Sequence, residues 1–134
     1  MTSKIKGPIF ILRIFLGLVF LSAGLYRAFH VERALLEFGN IVSGSLIYPL
    51  IYLVIILEII GGLFLIFNFK TRTTTLVFFI FILLVIVESL IFSRQEIVSG
   101  FGELFFYNTN ATDFFLHITY LIILSYLLAV YILK

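Results

Sequence analysis

The stretch from Tyr52 to Arg72, YLVIILEIIGGLFLIFNFKTR, constrains this chain more than any other. It opens as an apolar run of membrane-spanning length with one carboxylate, Glu58, inside it. Gly61 and Gly62 follow, and the stretch closes on Lys70-Thr71-Arg72. A charge near the middle of a spanning helix costs about 2.5–3.5 kcal/mol on insertion scales. A helix that only anchors the chain has no use for it, so Glu58 needs a partner elsewhere in the sequence.

Composition supports the membrane reading. Of the 134 residues, 63% are hydrophobic and 12% charged; a soluble domain averages roughly 45–50% apolar and about 25% charged residues. The length suits four spans of ~20 residues with short connections. The expected fold is all-α: one transmembrane domain with helices at about 8–29, 46–69, 74–92 and 114–133. Short connections make sequential helices antiparallel neighbours in a four-helix bundle. Pro8 and Pro49 fall in opening turns, where a missing N–H is tolerated. Ser22-Ala23-Gly24 after the first apolar run could pass for a signal-peptide end, but Arg13 inside that run and the later spans argue for a retained helix. The connection Ser93 to Asp113 holds the apolar piece Leu104-Phe105-Phe106-Tyr107, expected at the membrane interface.

Basic residues set the expected orientation. Lys4, Lys6, Lys70, Arg72 and Lys134 mark one side. Arg27, Arg33 and Arg94 on the other are accompanied by Glu32, Glu37, Glu96, Glu103 and Asp113. Both termini are therefore expected in the cytoplasm. The net charge of +2 is spread by topology and forms no nucleic-acid patch. With no cysteine and two distant histidines, thiolate chemistry and a metal site of the usual ligand types are not expected.

The intramembrane polar residues fall into two layers. On the first helix Arg13, Gly17, Gly24 and Ala28 share a face, and small residues there let another helix approach closely. On the second, Glu58, Gly61, Gly62 and Leu65 share one. Glu58 lies roughly 12–16 Å from the cytoplasmic boundary at ~1.5 Å of rise per residue, within reach of a long side chain such as that of Arg13. An Arg13–Glu58 pair is the first expected contact, a structural ion pair before a ligand or proton site. The outer layer is expected to gather Glu88, His117, Tyr120, Tyr26 and Arg27, with Asp113 one turn before His117. An interfacial pair without chemistry is the plainer alternative for Glu88 and His117. The glycines read as packing residues and the tyrosines as interface-belt residues.

Residues 13–24, RIFLGLVFLSAG, resemble the opening helix of the DoxX family, and Glu58-Ile59-Ile60-Gly61-Gly62-Leu63 with Lys70-Thr71-Arg72 resembles its second helix and following turn. The family is a group of small four-helix membrane proteins. The resemblance implies association with membrane oxidoreductase assemblies: one branch includes a subunit of a thiosulfate:quinone oxidoreductase, and another is linked to complexes that handle oxidative and thiol stress. Where the family often carries Lys soon after the Ala-Gly of helix one, this chain has Tyr26-Arg27. The lack of cysteine speaks against direct thiol chemistry.

Three functions remain open from the sequence. The first is a membrane subunit or anchor that brings a redox partner to the quinone pool, with Arg13 and Glu58, or His117 and Tyr120, offering donors to a quinone headgroup. The second is a scaffold or assembly protein whose polar residues fix helix register. The third is an oligomeric transporter, disfavoured because matched broken helices are absent. Expected partners are the lipid bilayer and a redox protein or further copies of the chain. The expected location is the cytoplasmic membrane of a prokaryote.

Overall fold

The structure, a computed structural model, describes residues 6–101 and 109–132. These are all helix and connection, with no strand among them. Helix α1 spans Lys6–Phe29, α2 Val31–Phe38, α3 Ile47–Ile66, α4 Thr71–Phe92, α5 Arg94–Ser99 and α6 Thr109–Ile132. A 3₁₀ turn at Gly44–Leu46 leads into α3. Four helices, α1, α3, α4 and α6, are long and apolar enough to cross a membrane. The expected spans are thus present. Lys4, Glu103, the Leu104–Tyr107 piece and Lys134 lie outside the described residues.

The chain divides into two compact units, one ending at Thr74 and the other beginning at Thr75. In the first, α1 and α3 pack closely and antiparallel, because glycines remove the side chains that would hold their backbones apart. A Cβ on Gly62 would lie 2.8 Å from the Gly17 carbonyl oxygen and 2.8 Å from the Leu21 amide nitrogen. A Cβ on Gly17 would lie 2.9 Å from the Gly62 carbonyl oxygen, and one on Gly24 would lie 2.9 Å from the Glu58 Cβ. Gly61 is only half-buried and flanks this seam. Leu16, Phe20, Ile51 and Leu65 are buried, whereas Ile11, Leu18, Leu53 and Ile56 are exposed. Such a rim is a liability in water and ordinary against acyl chains.

Each end of this helix pair is closed by specific residues. At the end of α1 the His30 Nδ1–H donates to the Tyr26 carbonyl at 3.0 Å, and the His30 ring stacks on Tyr26 at 4.3 Å. The same carbonyl accepts the His30 backbone N–H at 3.0 Å, so the side chain adds a second bond at the helix terminus. The chain then turns into α2, which packs on α3 and buries Ala34 and Phe38.

The second span is expected to reach residue 69 but stops at Ile66. Asn68 takes a left-handed φ of 58°. The Phe69 N–H reaches back to the Phe64 carbonyl at 2.8 Å, and the Asn68 N–H to the Leu65 carbonyl at 3.4 Å. This is the paired bonding of a Schellman motif, with the usual apolar contact across it: the Phe64 and Phe69 rings meet edge to face at 4.8 Å. Asn68 also accepts a hydrogen bond from the Thr71 hydroxyl at 2.9 Å, tying the turn to the start of α4.

In the second unit α4 buries the stripe Phe78, Ile82 and Ile86, at helical spacing. The helix α5 packs on α6 and buries Ile97. Three hydroxyls within the spans bond to their own helix: Ser89 to the Val85 carbonyl at 2.9 Å, Thr119 to Phe115 at 3.0 Å and Ser125 to Leu121 at 2.7 Å. This satisfies groups for which the bilayer offers no partner.

Candidate functional site

Glu58 does not pair with Arg13. Its partner is Arg27, whose Nη1 straddles both carboxylate oxygens at 2.5 and 2.7 Å. The Nε of the same guanidinium donates to Glu37 Oε2 at 3.1 Å. The Glu58 side chain is 3% exposed, that of Arg27 21% and that of Glu37 54%, so the cluster grades from the helix seam outward. Two carboxylates share one cation across three elements: α1 provides Arg27, α3 provides Glu58 and α2 provides Glu37.

Helix register explains the correction. The close approaches pair Gly17 with Gly62 and Ile66, and Gly24 with Glu58 and Ile59. Arg27 follows Gly24 by just under one turn and projects from the same face. Arg13 precedes Gly17 by about one turn, which carries it past Ile66 to the level of the turn after α3. It is thus more than two turns from Glu58 along the pair. The same stripe that drew attention to Arg13 continues to Arg27, and aligning the glycines Gly17 and Gly62 antiparallel was the available signal.

Arg13 is nevertheless buried, 7% exposed. Its Nη1 has no hydrogen-bond partner among the described residues, and its guanidinium carbon lies 5.5 Å from the centroid of the Phe10 ring. A guanidinium offers five N–H donors and no acceptor. Here it packs as a cation against an aromatic face.

The residues of the expected outer layer are divided between the two units. Arg27 is committed to Glu37 and Glu58 within the first unit, and Tyr26 accepts a hydrogen bond from Arg33 Nη1 at 2.8 Å. Glu37, Arg33 and His30, which the expected spans 8–29 and 46–69 leave in the connection between them, are contact residues of the site. In the second unit Glu88 and His117 are half-buried on α4 and α6. His117 meets Tyr120 edge to face, with ring centroids 6.2 Å apart.

Chemically, the Arg27–Glu58 pair is compatible with a low-dielectric setting because each charge neutralises the other. Such pairs add little net stability over an apolar packing, but losing one partner strands the other and is costly. Glu37, more than half exposed, contributes on the smaller scale of a surface ion pair.

Together these features define a polytopic α-helical membrane protein with a polar clasp across its first two spans. The family model for DoxX matches residues 9–93, more than half of the chain, and the chain belongs to the DoxX family. Comparison with curated proteins and with solved structures gave no match.

Proposed function

We propose that this chain is a small integral membrane subunit that anchors a membrane-associated oxidoreductase system in a prokaryotic cytoplasmic membrane. In this reading the clasp holds the helix pair and does no chemistry. The observation that carries it is the engagement of both Glu58 oxygens by Arg27. A carboxylate held in this way serves as a fixed strut. The oxidoreductase association rests on what the DoxX resemblance implies, and a scaffold or assembly role fits the same strut. The side-by-side His117 and Tyr120 of α6 favour a quinone contact in the second unit, where an imidazole and a phenol would offer donors to headgroup carbonyls. The basic end of the first two spans, with both termini, is assigned to the cytoplasm.

Purification from native membranes in mild detergent tests the proposal. A stoichiometric redox partner, with or without bound quinone, is the expected result; a bare homo-oligomer would overturn it in favour of the scaffold or transporter. Cysteines introduced at Ser3 and Thr109 should label from opposite sides of the membrane.

A further inference from the structure

We propose that Arg13 is the core of a binding site for the phosphodiester of an anionic phospholipid, in the leaflet at the basic end of the α1–α3 pair. This goes beyond the anchoring role and does not depend on it. Depth comes first. Helix α3 has 20 residues, so it is about 30 Å long, the thickness of the hydrocarbon core. The turn that follows Ile66 therefore sits where lipid headgroups begin. Arg13, one turn beyond the Gly17–Ile66 contact, is level with that turn and so with the phosphate layer.

Charge and exposure are the second line. Lys6, Lys70 and Arg72 lie at the same end and are exposed. The carboxylates of the first unit, Glu32, Glu37 and Glu58, all stand elsewhere: two on α2 at the opposite end and one deeper in α3. That end is cationic without internal compensation, the pattern that attracts anionic headgroups.

The third line is Arg13 itself. It is more than nine-tenths buried, and its Nη1 finds no acceptor among the described residues. Its guanidinium lies by Phe10, which is 56% exposed, so the cation sits just beneath the surface. The contact with the Phe10 ring supplies no hydrogen-bond acceptor, so Nη1 is left for one. Phosphate oxygens match the guanidinium fork, and Lys70 and Arg72 add charge around it.

The test uses the full chain in nanodiscs of phosphatidylcholine with a minor fraction of phosphatidylglycerol, followed by native mass spectrometry of retained lipid. The wild type should retain phosphatidylglycerol in preference to phosphatidylcholine, and Arg13→Gln should lower that retention about tenfold, as loss of a charge-assisted contact implies. Arg13→Lys should recover part of it. Equal retention by wild type and Arg13→Gln overturns the proposal. So does displacement by millimolar inorganic phosphate, which would make the site one for a soluble anion. A tightly bound protein released by Arg13→Gln, with lipid retention unchanged, would instead assign Arg13 to an acidic protein partner. Should Arg13→Gln fail to accumulate, the double variant Lys70→Gln, Arg72→Gln decides through exposed residues: an unchanged phosphatidylglycerol preference refutes the site, and a salt-sensitive loss supports it.

Discussion

Two arginines stand on α1, and the fold treats them in opposite ways. Arg27 gives its N–H groups to two carboxylates from two other elements. Arg13, buried more deeply than Arg27, has no carboxylate partner among the described residues and rests by a phenylalanine ring. Both are arginines on an apolar helix, and Arg13 is the more conspicuous in the sequence because it interrupts the first span. The difference lies in what the antiparallel register sets opposite each. Opposite Arg27 comes the buried face of α3 with its carboxylate; opposite Arg13 comes the turn where α3 has ended. Register therefore decides which charge is a structural partner.

That contrast can be broken most directly at Arg27. Arg27→Met should destabilise the protein by about 3–5 kcal/mol, the cost of stranding one member of a buried pair, read as a loss of thermal stability in nanodiscs. The double variant Arg27→Met, Glu58→Leu should recover much of the loss, and that non-additivity is the mark of direct coupling. Additive effects would place Glu58 with some other group.

The glycine seam is the next largest lever. Gly62→Ala sets a methyl against the Gly17 carbonyl and the Leu21 amide, backbone atoms that cannot turn aside. It should cost about 1–3 kcal/mol through overpacking. Gly7→Ala, where a Cβ meets nothing within 4 Å, should leave the melting temperature unchanged or slightly raised. Equal effects at the two positions would show that the close approach contributes nothing.

Glu37→Gln should cost less, about 0.2–1 kcal/mol, and its effect should shrink as salt is added, because the carboxylate is exposed. Arg13→Met completes the comparison. In lipid-free detergent it should leave stability unchanged or raise it, since no carboxylate is stranded. A loss as large as that of Arg27→Met would mean that Arg13 has a partner within the protein.

Much of the fold could be read from the sequence. The four spans, the packing role of Gly17, Gly24 and Gly62, and the need of Glu58 for a partner all follow from apolar run length and the helical repeat. The partner itself was harder to read. Depth, counted from the ends of the runs, tolerates an error of a turn or more, and the second span gave up its last residues to the turn at Asn68. An error of that size exchanges one arginine for the other. The role of Glu37 was hidden for another reason: α2 is short, and its docking depends on Ala34 and Phe38 finding α3, which no local pattern encodes.

The clasp also bears on how such a chain enters a membrane. Arg27 precedes Glu58 in the sequence, so α1 is already made when the carboxylate-bearing segment emerges, and chains fold from the N-terminal end during synthesis. The cation is in place to receive the anion, and α3 need never meet lipid as a lone charged span. With the two helices exchanged in order, Glu58 would have to wait alone among acyl chains.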